Sequence, residues 1–165
     1  MDYGIRWARP DEWEQVMEMI WETFQKFDAP DCEPEGRQSF YDFIMDEHLK
    51  ESFLAGNYKL LVAVDGDEII GAGSLRNVNH ISLLFVKEEY HLQGVGSALV
   101  QMLCDYLQIV VGEHYVSLMA SPYAVDFYKK LGFSLVKARS MKTGIPVAFM
   151  EKVFRKKEEE RNEVV

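Results

Sequence analysis

The most regular pattern of hydrophobic and polar positions lies in residues 80–110. Residues 81–86 are apolar at every position but one, which predicts a buried strand. A polar loop follows, and from Val95 onward apolar residues recur at steps of three and four, which predicts an amphipathic helix. Because Gly94 and Gly96 lie where this helix opens, the pattern predicts a strand, a glycine turn and a helix N-terminus in direct succession.

A short strand and two helical regions are predicted for the first third of the chain. Residues 3–8 alternate as a strand, and an amphipathic helix begins at Pro10. Residues 28–36 are rich in proline and acidic residues, so we expect a loop without regular structure. Residues 37–55 form a second helical region, whose period weakens near residues 46–48 and indicates a break there.

A hairpin precedes the central strand. Residues 59–64 and 68–75 are strand-like, and they flank an Asp-Gly-Asp turn at residues 65–67. Gly71 and Gly73 interrupt the second strand, which predicts a bulge or a close approach of another backbone.

The last third of the chain is predicted to contribute three more strands and a short helix. Residues 115–120 form a strand, and residues 133–137 and 147–154 form two closing strands joined by a polar loop. The short helix lies between the first and second of these strands. Its start is marked by Ser121 at the cap with a proline after it, and its end by Gly132.

Length and composition favour one globular domain. The chain has 165 residues, of which 48% are hydrophobic, enough for one core and too few for two. We therefore expect a single domain over residues 1–154, followed by a charged tail over residues 155–165. No run of residues approaches the length of a membrane span, and the N-terminus lacks the basic start and apolar core of a signal peptide, so a cytoplasmic protein without a membrane partner is expected.

Charge and cysteine content exclude two classes of function. The formal net charge of −9 argues against a nucleic-acid partner, because such proteins concentrate Lys and Arg on one face. Cys32 and Cys104 lie in different contexts, and no Cys/His cluster has the spacing of metal ligands, so no metal site is predicted.

The glycine turn suits a phosphate group, and two nucleotide-binding motifs can be compared with it. The first N–H groups of a helix have no partner within the helix, and its dipole is positive at this end. A Walker loop would need Lys-Ser/Thr after the second glycine, where the chain has Ser97 and Ala98. A dinucleotide fingerprint would need a third glycine at the position of Leu99. Neither motif fits.

Two segments resemble those of a known enzyme family. The six residues HLQGVG, 91–96, resemble the pyrophosphate loop of the GNAT acetyltransferases, Gln/Arg-x-x-Gly-x-Gly/Ala, with His91 at the first position. Residues 121–133, SPYAVDFYKKLGF, resemble the family segment Asn-x-x-Ala-x-x-Phe-Tyr-x-Lys-Leu-Gly-Phe, with Ser121 at the usual Asn position. The two segments stand in the family's order, so the chain is identified as similar to the GNAT N-acetyltransferase superfamily.

The resemblance implies a fold and a co-substrate. The fold is α+β, with a central, mixed and mostly antiparallel sheet of about seven strands flanked by about four helices. The strand ending at Val86 and the strand ending at Ala120 would run parallel and splay apart, and acetyl-CoA would lie in the opening. The resemblance assigns acetyl-CoA binding to the central strand, the glycine loop and the tyrosine helix: Leu84, Phe85, Val86, His91, Leu92, Gln93, Gly94, Val95, Gly96, Ser97, Ser121 and Phe127. For Phe127 core packing is the alternative role, and for Ser121 it is capping of the helix.

The resemblance also implies catalytic roles. In this family an amine attacks the acetyl thioester directly, and a backbone N–H of the central strand stabilises the oxyanion. Tyr128 is expected to be the general acid, because a phenol with a pKa of about 10 can protonate the leaving thiolate. His80 is the titratable group on the central strand and the candidate general base. Acids from residues 28–35, or Glu22 on the first helix, are the alternatives.

The expected function is therefore an acetyl-CoA-dependent N-acetyltransferase. Its acceptor would be a primary amine of a small molecule or a peptide, recognised by the first two helices, their loop and residues 139–146. A non-catalytic acyl-CoA-binding regulatory module on the same fold is the alternative. A flavin- or nucleotide-binding α/β protein would need longer βαβ repeats than the chain contains. Homodimers are common in the family, so a homodimer is a further expectation.

Overall fold

A computed structural model describes residues 2–142 and 144–155. Its seven strands form one sheet in the order β1-β2-β3-β4-β5-β7-β6. The strands are β1 (Gly4–Trp7), β2 (Lys59–Asp65), β3 (Glu68–Arg76), β4 (His80–Val86), β5 (Tyr115–Ala120), β6 (Ser134–Lys142) and β7 (Ile145–Val153). The helices are α1 (Trp13–Phe27), α2 (Pro34–Ile44), α3 (Glu47–Leu54), α4 (Val95–Asp105) and α5 (Val125–Lys130), and α4 continues as a π-helical turn, Tyr106–Val111.

The sheet is mixed, as the resemblance implied. Neighbouring strands are antiparallel at every pairing except that of β4 with β5, which is parallel. The two halves of the broken helical region are α2 and α3, and Asp46 caps α3 by accepting a hydrogen bond from the N–H of His48 at 2.9 Å. The predicted α+β fold and the predicted helix break are both confirmed.

Each face of the sheet carries its own core, because successive residues of a strand point to opposite faces. Leu60 and Val62 of β2 pack in one cluster with Val16 and Ile20 of α1. Leu61, next to them in sequence, packs in a second cluster that also contains residues of α4 and α5. The first three helices therefore cover one face of the sheet, and the last two cover the other.

From the face of the sheet, side chains of α4, and not another backbone, approach the glycines of β3 most closely. A Cβ atom added to Gly71 would lie 3.3 Å from Leu99 Cδ1, and one added to Gly73 would lie 3.1 Å from Leu103 Cδ1. Both leucines belong to α4, so the missing side chains let this helix pack close to the sheet. The pairing of β2 with β3 also shifts register between Ala63 and Val64, which is the predicted irregularity.

Two predicted loops are shorter than the sequence indicated. Residues 28–36 were expected to lack regular structure, but Ala29–Asp31 form a 3-10 turn and α2 already begins at Pro34. Proline favours the first helical position, where its missing N–H has no helical partner to lose. The loop predicted over residues 138–146 is replaced by extensions of β6 and β7 that pair as far as Lys142 with Ile145.

The turn between β6 and β7 contacts the start of α2. Gly144 O accepts a hydrogen bond from the N–H of Glu33 at 2.9 Å. A Cβ atom on Gly36 would lie 2.3 Å from this same oxygen, so glycine is required where the two backbones meet. Thr143, within the predicted acceptor loop, and residues 156–165 of the predicted tail lie outside the described residues.

Candidate active site

The two parallel strands separate after a short stretch of pairing. His80 pairs with Ser117 and Ile81 with Leu118, and no further pair joins β4 to β5. Toward their carboxyl ends the strands therefore diverge, as the resemblance implied. A cavity of about 370 Å³ lies at this opening, and both strands, α1, α2, β7 and the segment after β5 contribute to its lining. That volume is in the range of small-molecule sites.

A bulge in β4 lies at the point where the strands separate. Ile81 pairs with Leu75 of β3 and Leu83 pairs with Ser74, so Ser82 is an extra residue without a partner in β3. As a result Ile81 packs on the α4 side of the sheet and Leu83 packs on the α1 side. No glycine or proline in β4 indicates this bulge in the sequence.

A buried polar network holds the bulge. Ser74 is fully buried, and its Oγ accepts a hydrogen bond from the N–H of Leu83 at 3.1 Å. The same Oγ lies 2.7 Å from the hydroxyl of Tyr58, which also donates to Ser82 Oγ at 3.3 Å. The bulge would otherwise leave a buried N–H without an acceptor, so this network fixes the local course of β4.

One acidic side chain enters the cavity from the end of α1. Asp28 Oδ2 accepts a hydrogen bond from Ser121 Oγ at 2.8 Å, and Asp28 Oδ1 accepts one from the hydroxyl of Tyr123 at 2.7 Å. Burial raises the pKa of Asp28, although these two hydrogen bonds oppose the shift. In the sequence, Asp28 is only one of several candidate acids in residues 28–35. Among the described residues lining the cavity, it is the one acid.

The predicted general acid lies in the same cavity. Tyr128 is 7% exposed, and its ring packs edge-on against Phe127 and Phe133. Burial, and then the charge of Asp28, raise the pKa of Tyr128 above its ordinary value. The phenol is therefore protonated throughout the neutral range and can act as a hydrogen-bond donor.

The predicted base lies at the narrow end of the opening. His80 Nδ1 is 2.9 Å from Ser117 Oγ, within the short stretch where β4 and β5 still pair. His80 lines the cavity, as do Leu84 and Phe85 from the predicted cofactor set. The structure thus brings Tyr128 and His80 to one cavity but to different parts of its wall.

The glycine loop lies outside this cavity, beside its wider end. Gly94 has a φ of 81° and caps α4 in the left-handed conformation that glycine favours. Leu92 also has a positive φ, 62°, and is fully exposed. His91 is folded back toward the central strand, with Nε2 2.7 Å from Val86 O, and Gln93 Nε2 donates to Glu89 O at 3.1 Å.

The start of α4 leaves space for a ligand only at its backbone. Val95 is 1% exposed and its side chain belongs to the core, so only its main chain is available to a ligand. Gly96 and Ser97 are half-buried. A Cβ atom on Gly96 would lie 3.4 Å from Phe127 Cζ, so Phe127 packs beside this turn. Unpaired N–H groups at the N-terminus of an eleven-residue helix fit a pyrophosphate. No group of three or more potential metal ligands occurs among the described residues.

An aromatic wall closes the side of the cavity opposite the sheet. The rings of Phe24 and Phe40 stack with centroids 4.0 Å apart, and Phe40 lies 5.7 Å from the ring of Phe85 in β4. The guanidinium of Arg76 lies over the ring of Phe43 in α2, with the Arg76 Cζ atom 5.2 Å from the ring centre. All five side chains line the cavity.

The sequence matches a family model for most of its length. The model describes the acetyltransferase (GNAT) domain and matches residues 28–154. Both segments of the resemblance lie within this stretch. No curated protein matches the chain. Within the described part of the chain, no helix is both long enough and apolar enough to cross a membrane.

Solved acetyltransferase structures superpose on nearly the whole chain. A GCN5-related N-acetyltransferase from Rhodopseudomonas palustris is 21% identical, with a TM-score of 0.79 over 93% of this chain and 97% of its own. The PaiA N-acetyltransferase from Thermoplasma acidophilum, solved in complex with coenzyme A, is 20% identical, with a TM-score of 0.72 over 93% and 100%. The spermidine/spermine N-acetyltransferase SpeG from Vibrio cholerae, in mutant form, is 14% identical, with a TM-score of 0.66 over 99% and 100%. At these identities the likeness shows a shared fold.

Proposed function

The chain belongs to the GNAT acetyltransferase family, and we propose that it is an N-acetyltransferase that transfers the acetyl group of acetyl-CoA to a primary amine of a small molecule or a peptide. Enzymes of this family use acetyl-CoA as co-substrate. The observation that carries the proposal is the cavity at the opening between β4 and β5, whose wall includes a buried phenol, Tyr128, and a half-buried carboxyl, Asp28.

The free edge of β4 supports the position of acetyl-CoA. Beyond Ile81 the side of β4 that faces β5 has no strand partner, so its backbone groups are available to a ligand. The main chain near Leu84 and Phe85 would bind the pantetheine amides and the thioester oxygen. An N–H fixed in a strand stabilises an oxyanion without reorganisation. The backbone at residues 92–97 would hold the pyrophosphate.

Bound acetyl-CoA supplies a thioester, and the nitrogen of the neutral amine attacks its carbonyl carbon. The C–S bond then breaks, the nitrogen loses a proton and the sulfur gains one. Tyr128 would donate its hydroxyl hydrogen to the sulfur as negative charge develops there. Its raised pKa keeps the phenol protonated for this role. Before the attack, the carboxylate of Asp28 would hold the incoming ammonium and accept one proton, directly or through water, which frees the nitrogen lone pair; His80 is the other candidate for this step. The second proton, which the nitrogen loses as the amide forms, balances the proton that the sulfur gains.

Transfer can be tested by mixing the protein with acetyl-CoA and a set of primary amines. Free thiol is followed with a chromogenic reagent, and acetylated amine is identified by mass spectrometry. The proposal predicts equal amounts of thiol and acetamide. Binding of acetyl-CoA by calorimetry without transfer to any amine would contradict it and would favour the regulatory module instead.

A further inference from the structure

The cavity has one charged side chain of each sign, and the two lie at opposite ends. Asp28 is the one acid, and Arg76 the one Lys or Arg, among the described residues that line it. Asp28 is bonded to Ser121, directly after β5. Arg76 pairs with His80, which pairs with Ser117 in β5. Ser121 follows Ser117 by four steps along the extended chain, so these two positions of the β5 segment lie about 13 Å apart.

Arg76 lines the end of the cavity near His80. Its side chain rests on the ring of Phe43, and the residue is exposed to solvent. Within residues 2–142 and 144–155, no carboxylate forms an ion pair with it. A guanidinium stacked on an aromatic ring keeps the N–H donors in its own plane free, and their spacing matches the two oxygens of a carboxylate.

A flat apolar surface connects the two charged ends. Phe40, stacked on the buried ring of Phe24, lines the cavity from the helix side, and Phe85 lines it from β4. Such a surface suits a planar or extended apolar body, and it offers no polar group to a second ammonium. A second ammonium at the far end would instead meet the positive charge of Arg76, which disfavours polyamines.

We propose that the acceptor is a primary amine that also carries a carboxylate. The carboxylate would bind Arg76 at the His80 end of the cavity, the body would lie on the aromatic wall, and the amine would point toward Asp28 and the central strand near Leu84. This inference rests on the proposed acetyl transfer and adds the substrate class that the same cavity selects.

The test compares two acceptors that differ only in charge, 4-(aminomethyl)benzoate and 4-(aminomethyl)benzamide. For the wild-type protein, kcat/KM is expected to be at least about tenfold higher for the benzoate, mainly through KM, because a charge-assisted hydrogen bond pair is lost with the amide. In Arg76→Gln the ratio of the two values is expected to fall to about one, and in Arg76→Lys to an intermediate value. Arg9→Gln removes one positive charge at an exposed residue outside the cavity, so its ratio should equal the wild-type ratio.

Three results would overturn the inference: equal kcat/KM for the two probes, a preference for the benzamide, or a higher kcat/KM for spermidine than for the benzoate. If no probe is acetylated, calorimetric binding of both probes to the CoA-saturated protein decides the matter. Tighter binding of the benzoate that Arg76→Gln abolishes supports the inference while the proposed transfer fails. Equal binding overturns the inference itself.

Discussion

Ser121 Oγ donates a hydrogen bond to Asp28 Oδ2 at 2.8 Å, across 93 positions of sequence. The contact joins the end of α1 to the residue that follows β5, and therefore crosses the wider end of the opening between β4 and β5. It fixes a carboxyl group within the cavity that contains Tyr128. The predicted roles of Ser121 are a cofactor contact or a helix cap, and the hydrogen bond to Asp28 is a third role.

Asp28→Asn is expected to lower kcat/KM by about 10²-fold, because the amide cannot accept the proton of the ammonium. It should also raise the free energy of unfolding at pH 7. Burial raises the pKa of Asp28, so the ionised group is less favourable in the folded protein than in the unfolded chain. Stability therefore falls as the pH rises from the unfolded pKa, about 3.9, through the folded pKa, and it remains lowered above that value.

Denaturant unfolding of both proteins across pH measures this effect. The gain from Asp28→Asn should be present at pH 7 and should disappear below the ordinary carboxyl range. Asp67→Asn, in the exposed turn between β2 and β3, controls for the loss of one negative charge. A variant that is less stable than the wild type at pH 7 would show that the two hydrogen bonds to Asp28 outweigh its burial.

Tyr128→Phe should lower kcat by about 10²-fold or more, with little change in the Kd of acetyl-CoA. The substitution removes one hydroxyl and keeps the ring that packs on Phe127 and Phe133. Steady-state kinetics and calorimetry measure the two effects separately. Tyr115→Phe, at an exposed tyrosine at the start of β5, is the matched control and should leave kcat unchanged. Equal kcat values for both variants would remove Tyr128 from the chemistry.

Ser74→Ala should destabilise the protein by about 1–3 kcal/mol, because the buried N–H of Leu83 loses its acceptor. For a domain of this size, each kcal/mol corresponds to a fall in Tm of about 2–4 °C. Calorimetric unfolding measures the change, and Ser134→Ala on the exposed side of β6 is the control. A Tm equal to that of the control would mean that the bulge in β4 does not depend on Ser74.

Val78→Gly should stabilise the protein by about 1 kcal/mol. Val78 lies in the turn between β3 and β4 with a φ of 73°, a conformation that is strained for a β-branched residue. The free energy gained by relieving the strain exceeds the free-energy cost of the extra conformational entropy that glycine gives the unfolded chain. Val136→Gly, at a comparably exposed position within β6, should destabilise instead. Chemical denaturation measures the change in the free energy of unfolding for each variant. Changes of the same sign in Val78→Gly and Val136→Gly would contradict the strain at Val78.

Local patterns predicted those parts of the fold that depend on neighbours in sequence. The apolar periods identified α1 and α4, and the glycines of β3 indicated the irregular pairing of that strand. The start of α2 at Pro34 was missed because proline and acidic residues are typical of loops as well as of first helical turns. The extension of β6 was missed because an edge strand tolerates polar residues on its exposed positions.

The candidate site was predicted less completely, because its main contacts are long-range. The glycine loop and Tyr128 come from short segments that a resemblance can identify. The contact of Asp28 with Ser121, the extra residue Ser82 in β4 and the position of Arg76 over Phe43 depend on how distant elements pack. No local period or motif carries that information, so the sequence left several candidates for the base open.

The central claim, that acetyl-CoA binds at the opening between β4 and β5, is tested most directly by thermal unfolding with and without acetyl-CoA, with NAD and ATP as controls. A ligand at 100 times its Kd that binds only the folded protein stabilises it by about 2.7 kcal/mol. The predicted result is a rise in Tm of about 5–10 °C with acetyl-CoA and none with the two controls. No shift at millimolar acetyl-CoA, or the same shift with ATP, would contradict the account.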